Sequence, residues 1–131
     1  KIARKYFKFD SNRLDALGKY LKIGQKLQTG GFQLWKDCMR GDKKAWAKMA
    51  RYNRNDVILL EKVYKRLRSW IGNHPNLNIF NGKIHNCPNC GSSKVHKRGL
   101  AYTRTCKYQR WQCLSCFSWH QSGFKEESII R

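Results

Sequence analysis

Four of the six cysteines stand in two C-x-x-C pairs, Cys87 with Cys90 and Cys113 with Cys116. Such a turn lets two thiolates reach one ion from a single tight loop, and Zn²⁺ favours four such ligands in a tetrahedron. Gly91, directly after the first pair, suits the left-handed backbone that a metal-binding turn often requires. The spacing predicts one structural zinc ion in a closed shell of four sulfurs, with no open position for a reacting water.

Cys106, His85, His96 and His120 are extra candidate ligands. None has a partner at C-x-x-C spacing, so we predict that they are not ligands; a shell shifted onto one of them is the alternative. A second alternative, four reduced cysteines packed as small apolar side chains, leaves two identical spacings to chance. Paired thiolates in a basic chain with no recognisable signal peptide lead us to expect a reducing, intracellular compartment, the cytoplasm or nucleoid.

The charge of the chain points to a polyanionic partner. The formal net charge is +20, from 28 Lys and Arg against 8 Asp and Glu, and no acidic residue lies between Glu61 and Glu126. Aromatic residues alternate with cations in this interval, a combination that pairs with phosphates and stacks on bases. We therefore predict binding to DNA or RNA, single-stranded or distorted, through Lys94, Lys97, Arg98, Arg104, Lys107, Tyr108 and Arg110.

Two other interpretations of these residues are possible. Tyr108 and Trp111 could pack the small metal-binding domain while the cations only keep it soluble, and for Trp111, beside Cys113, we expect the core role. An anionic membrane could also attract the chain, but the longest aliphatic run, Val57 to Leu60, is too short to span a bilayer. We expect no membrane partner.

The residues before 75 carry helical patterns. Leu14, Leu17 and Leu21 follow the potential N-cap residues Asp10 and Ser11 and predict a helix over 12–22. Residues 32–35 look like a short buried turn or helix that ends at Gly41, and residues 1–9 could form an edge strand or a helix. From the potential N-cap Asp42 to Ile71 we predict a helix with a kink near Tyr52 and Asn53. Its apolar residues group into two stripes, one of Trp46, Met49 and Ala50 and one of Val57, Leu60, Tyr64, Leu67 and Ile71.

After Trp70 the helical pattern gives way to residues typical of turns. This change predicts an α+β chain with two parts, one helical and one built of strands. We expect a helical segment over 1–75, a linker over 76–83, a small β zinc ribbon over 84–124 and a tail over 125–131. The segments around Val95, Tyr102 and 108–112 favour strands. A ribbon of this size cannot build a sufficient apolar core, so its folding is expected to depend on the metal.

Tyr52 and Asp56 are the residues of the helical part that could do chemistry. They are four positions apart and share one helical face, where a carboxylate can ligate Mg²⁺ and a tyrosine can orient an attacking water. The pattern is common, and by itself it indicates only an exposed Asp that follows a buried Tyr.

Several motifs follow one another in residues 9–71: Ser11-Asn-Arg-Leu-Asp-Ala-Leu17, Gly24, Leu34-Trp35, Gly41-Asp42, Ala45 and Tyr52-Asn-Arg-Asn-Asp56-Val57. Their order resembles the C-terminal third of DEDDy-type 3′-to-5′ exonucleases of the ribonuclease H-like superfamily. The chain is similar in particular to phage and bacterial versions that append a zinc ribbon, which 84–121 would match. The resemblance implies that Asp56 is the last carboxylate of a Mg²⁺ or Mn²⁺ site and that Tyr52 aligns the attacking water.

The chain departs from that family in its acidic residues. The first and second acidic motifs of the family have no counterpart in residues 1–131, and two-metal hydrolysis needs several carboxylates. Either an upstream segment or another subunit supplies them, or the chain has kept binding and lost cleavage. Because the sequence does not begin with Met, we expect the first, and hence part of a metal-dependent 3′-to-5′ exonuclease; the alternative is a non-catalytic zinc-ribbon module like those of transposases or transcription factors.

Overall fold

The computed structural model describes residues 1–81 and 85–128, with side chains at all of these except 81 and 123–128. It divides into two compact units, Lys1–Leu67, here called the helical unit, and Arg68–Arg131, the ribbon unit. Helices make up the first unit and a three-stranded antiparallel sheet dominates the second, which confirms the α+β class. Residues 82–84 of the predicted linker and 129–131 of the predicted tail lie outside the described residues.

The helical unit contains α1 (Ile2–Tyr6), α2 (Leu14–Tyr20), α3 (Phe32–Met39) and α4 (Lys43–Leu67). The first residues therefore form a helix and not an edge strand. α2 lies within the predicted range, but its N-cap is Arg13, without a side-chain cap. The hydroxyl of Ser11 accepts a hydrogen bond from the Arg13 backbone at 3.3 Å, so Ser11 orders the turn before the helix and is not its cap.

A short connection joins α3 to α4 and contains Gly41 and Asp42, the predicted helix end and the predicted N-cap. Gly41 has φ of 85° and donates its N–H to the Cys38 carbonyl, and Asp42 donates its N–H to the Asp37 carbonyl, which is a Schellman ending. The Asp42 carboxylate then accepts the Lys44 N–H at 2.8 Å and caps α4. One residue thus ends one helix and starts the next.

The buried face of α4 differs from the predicted stripes. Leu59, Val63 and Leu67 are buried at helical spacing, whereas Val57, Leu60 and Tyr64 are exposed, with Val57 67% exposed. The second predicted stripe was therefore wrong at Val57, Leu60 and Tyr64, because apolar residues occur on both sides of this helix and spacing alone cannot tell which side is covered. α4 runs as an α-helix through Tyr52 and Asn53. Within the described ranges, no helix is long and apolar enough to cross a membrane.

Close packing brings the loop after α2 against α4. A Cβ at Gly18 would stand 2.5 Å from the Gly24 carbonyl oxygen and 2.9 Å from Leu59 Cδ1, so only glycine fits at this contact. Lys22, with φ of 55°, completes the turn that ends α2. This approach carries the following residues, including Lys26, to the face of α4 that holds Tyr52 and Asp56.

The ribbon unit begins with a 3₁₀ turn, Arg68–Trp70, and α5 (Asn78–Asn81), which occupies part of the predicted linker. Its sheet consists of β1 (Val95–Tyr102), β2 (Cys106–Cys113) and β3 (Trp119–Ser128), in the order β1-β2-β3. β1 carries an extra residue between Lys97 and Leu100, where Gly99 has φ of 72°, a bulge that needs glycine. β3 includes residues 125–128, which the sequence placed in a tail.

Candidate metal centre and arginine face

The two C-x-x-C segments have the same backbone geometry. Cys87 donates its N–H to the Ser92 carbonyl and accepts the Gly91 N–H on its own carbonyl, both at 2.8 Å. Cys113 repeats this with Ser118 at 3.0 Å and Phe117 at 3.1 Å. The fourth residue after each first cysteine has positive φ, 74° at Gly91 and 61° at Phe117. A phenylalanine thus holds a backbone conformation that normally selects glycine, which indicates that the hydrogen bonds of the turn impose it.

The four sulfur atoms converge between these turns. The Sγ atoms of Cys87, Cys90, Cys113 and Cys116 all lie within 4.8 Å of one another, with 3.7 Å between Cys87 and Cys116 and 3.6 Å between Cys90 and Cys113. Sulfurs bonded at ~2.3 Å to a tetrahedral zinc ion stand about 3.8 Å apart. Three of the four cysteines are buried, with Cys87 and Cys113 at 0% exposure, and Cys90 is partly buried. Its donor set and dimensions fit a zinc ion, so the four cysteines could hold one.

The surroundings of the sulfur atoms shift the thiol pKa values of Cys87, Cys90 and Cys113 in different directions. Burial raises the pKa of the Cys87 and Cys90 thiols, because a buried thiolate loses its hydration. At Cys113 burial acts in the same direction, but the N–H groups of Cys116 and Ser115 stabilise the thiolate and bring its pKa down to about 7. The Ser115 N–H lies 3.3 Å from the Cys113 sulfur. Four thiolates this close together, three of them buried, need a cation to ionise together.

A buried hydroxyl also contacts the cluster. The Oγ atom of Ser118 lies 3.3 Å from the Cys87 sulfur and 3.1 Å from the Cys116 sulfur, and the residue is 5% exposed. It can donate its one proton to either sulfur. Sequence reasoning missed Ser118, because a serine two positions after a cysteine has no distinctive pattern.

The other candidate ligands do not join the cluster. Among the residues that the structure describes, these four cysteines are the one group of three or more His, Cys, Asp or Glu side chains that could share an ion. His96 instead contacts Gln112 and Arg98, and Cys106 contacts Thr105 at the start of β2. Burial lowers the pKa of His120, which lies on β3.

One face of the sheet collects two arginines and an exposed tryptophan. His96, Gln112 and Trp119 are paired across β1, β2 and β3, so their side chains share a face. Arg98 Nε donates to His96 Nε2 at 2.9 Å and to Gln112 Oε1 at 3.3 Å. Arg110 lies two residues before Gln112, with its Cζ 4.5 Å from the centre of the Trp119 ring. We call His96, Arg98, Arg110, Gln112 and Trp119 the arginine face.

The structure places the other predicted nucleic-acid contacts elsewhere. Lys97 pairs with Trp111 and lies on the opposite face, its Nζ 5.8 Å from the ring. Lys94 is exposed before β1, and Arg104 is exposed in the turn between β1 and β2. Lys107 and Tyr108 are partly buried at the start of β2, where contact with Cys106 raises the pKa of Tyr108. Arg98 and Arg110 are thus the two predicted contacts that the sheet brings together with an exposed ring.

In the helical unit, Tyr52 and Asp56 share one face of α4, and a lysine lies between them. Lys26 Nζ donates to Asp56 Oδ2 at 2.8 Å and to the Tyr52 hydroxyl at 3.2 Å. The Lys26 N–H donates to Asp15 Oδ1 at 2.9 Å, which anchors the lysine backbone. Hydrogen bonds to Asp56 and Tyr52 raise the pKa of Lys26, so it remains charged. Asp56 Oδ1 is buried without a hydrogen-bond partner. Lys26 was missed by sequence reasoning.

Comparison with family models, with curated proteins and with solved structures found no match. The resemblance to exonucleases therefore remains a prediction. The sulfur cluster, the arginine face and the Lys26–Asp56 pair are the features of the structure that bear on function.

Proposed function

We propose that the chain is a zinc-organised nucleic-acid-binding module whose arginine face contacts single-stranded DNA or RNA. The observation that carries this proposal is the convergence of Arg98, Arg110 and Trp119 on one face of a sheet that is joined directly to the sulfur cluster. Cys113 ends β2 and pairs with Val95 at the start of β1. A zinc ion at the cluster would therefore fix the strand register that brings the two arginines together.

The chemistry of the arginine face suits nucleic acid better than an acidic protein. A guanidinium group can bind a phosphate through two hydrogen bonds, and an exposed indole ring offers a stacking surface to any base. Trp119 is 51% exposed with Arg110 against it, so a base could stack there while the arginine contacts a phosphate. Gln112 adds an amide that can read a base edge. The net charge of +20 favours the same class of partner.

We expect the double variant Arg98→Gln/Arg110→Gln to bind a thymidylate oligonucleotide about tenfold more weakly, because it loses two phosphate contacts. The oligonucleotide has about 12 nucleotides, within the site sizes of such modules. Fluorescence anisotropy across a salt series should also give a logarithmic salt slope smaller by about 1.4, from ~0.7 per contact on single strands. The uridylate oligomer tests RNA in the same way.

The matched control is Lys97→Gln/Arg104→Gln, which removes the same charge from positions outside the arginine face. It should weaken binding by less than about threefold, as a distant exposed charge does through screened attraction. Equal losses in the two double variants would show that the general charge, and not this face, binds the oligonucleotide. The proposed interface would then be wrong.

A nuclease remains the second candidate, supported by the proximity of Tyr52 and Asp56 on one face of α4. With Mg²⁺ or Mn²⁺, and the missing carboxylates supplied by another segment or subunit, it predicts shortening of a 5′-labelled oligonucleotide from its 3′ end. Asp56→Asn should abolish this shortening. The control Asp10→Asn, at an exposed position, should leave it unchanged. Cleavage by Asp56→Asn at the original rate would exclude the role assigned to Asp56. Lys26 Nζ lies 2.8 Å from Asp56 Oδ2 and already neutralises the carboxylate that would bind the metal. This ion pair favours the binding function over cleavage.

A further inference from the structure

The helical unit contains a cavity that neither the metal centre nor the arginine face uses. It has a volume of about 180 Å³ and lies between the loop after α2 and the middle of α4. The residues that line it are Leu27, Gln28, Thr29, Lys48, Arg51 and Tyr52. They combine two cations, a side-chain amide and two hydroxyls with one apolar side chain.

The charges around the cavity favour an anion. Lys48 and Arg51 are three residues apart on α4 and therefore project from neighbouring positions of the helix. None of the six lining residues, all of them in the described part of the chain, is acidic. Asp56, one helical turn beyond Tyr52, has its charge countered by Lys26. An anion in the cavity would meet two cations without a facing carboxylate on the wall.

The volume limits what can enter. Pockets for whole small molecules usually measure roughly 300–1,000 Å³, well above the volume of this cavity. A single phosphate group with a few waters is a better match for a cavity of this size. The cations, the Gln28 amide and the Thr29 hydroxyl are the donor types that bind phosphate oxygens. Leu27 is 42% exposed and offers an apolar wall to an attached sugar or base.

We infer that this cavity binds a phosphate group of a nucleic-acid backbone, a second contact made by the helical unit independently of the metal. The inference rests on the proposed function only in naming nucleic acid as the source of the phosphate. Free phosphate carries the same chemistry, so the experiment includes both ligands.

Backbone amide NMR spectra of the full chain locate the bound group. Inorganic phosphate, and separately a thymidylate oligonucleotide without terminal phosphates, should each shift the amide signals of 27–29 and 48–52. Shifts from inorganic phosphate without shifts from the oligonucleotide would identify a free-phosphate site and overturn the nucleic-acid assignment. If neither ligand shifts these signals, the cavity binds no phosphate and the inference fails.

Charge-matched variants of α4 test the contact by affinity. Lys48→Gln/Arg51→Gln should weaken oligonucleotide binding about tenfold, whereas Lys44→Gln/Arg54→Gln, which removes the same charge from the same helix outside the cavity, should weaken it less than threefold. Equal losses would mean that α4 attracts nucleic acid only by its overall charge. All four positions are exposed, so we expect the variants to fold, and helical circular dichroism checks this.

The two proposals fail separately. If the cavity variant binds like the wild type while the Arg98→Gln/Arg110→Gln variant does not, the cavity inference falls and the proposed function stands. If instead only the cavity variant binds more weakly, the cavity is a binding site and the arginine face is not. The zinc content should be unchanged in every one of these variants, because none of the substituted residues contacts a sulfur.

Discussion

Replacing Cys113 by serine is expected to remove the bound zinc and to unfold the sheet of the ribbon unit, while the helical unit stays folded. In the described part of the ribbon unit, the buried apolar cluster consists of Cys87, Cys113 and Cys116, with Cys90 and Val95 packed against it. We therefore expect metal binding to supply most of the folding free energy of the ribbon unit; for structural zinc this amounts to roughly 10–16 kcal/mol. The same loss should follow treatment with a strong chelator.

Metal analysis and NMR together check this expectation. The wild-type protein should contain about one zinc ion per chain, and Cys113→Ser should contain none and lose the dispersed amide signals of β1 and β2. Cys106→Ser is the matched control, because Cys106 lies outside the sulfur cluster, and it should keep the zinc. A Cys113→Ser protein that retained its strand signals would mean that the sheet folds without the metal, and the central role of the cluster would be refuted.

The sulfur cluster could be predicted from sequence because its requirements are local. Each C-x-x-C turn brings two sulfurs together within a few residues, so the spacing alone carries the geometry. The two turns then lie close together because β1 and β2 form a hairpin, as the β-prone segments indicated. The cap at Asp42 and the turn at Gly41 were predicted for the same reason, since each depends on its immediate neighbours.

The features that the sequence did not predict depend on distant contacts. Lys26 meets Asp56 across thirty positions in sequence, where the close contact at Gly18 and the hydrogen bond from Lys26 to Asp15 hold the loop in place. β3 has few of the sequence signals of a strand, so Trp119 was not predicted as part of the arginine face. Arg98 was grouped with Lys97, although their side chains lie on opposite faces of the sheet. Composition identified the basic character of the chain, but strand register decides which cations can act together.

Ser118 shows how a residue without a motif can contact the sulfur cluster and affect its metal binding. Its hydroxyl is buried against two sulfurs that would carry negative charge when the metal is bound, and it has one proton to donate. A hydrogen bond to a ligating sulfur spreads that charge and holds the ligand in place. Outer hydrogen bonds of this kind typically contribute a factor of 10–100 to metal affinity.

We therefore expect Ser118→Ala to bind zinc about 10- to 100-fold more weakly, with the fold retained at saturating metal. Competition against a chromophoric chelator measures the change directly. Ser115→Ala is the matched control, because the Ser115 hydroxyl contacts Ser92 at 2.8 Å while its contact with the Cys113 sulfur runs through the backbone N–H, which alanine keeps. Ser118→Thr retains a hydroxyl and should recover part of the affinity. Equal zinc affinity in Ser118→Ala and Ser115→Ala would mean that the buried hydroxyl only fills space, because a hydrogen bond from Ser118 to the sulfurs would then contribute nothing to metal binding.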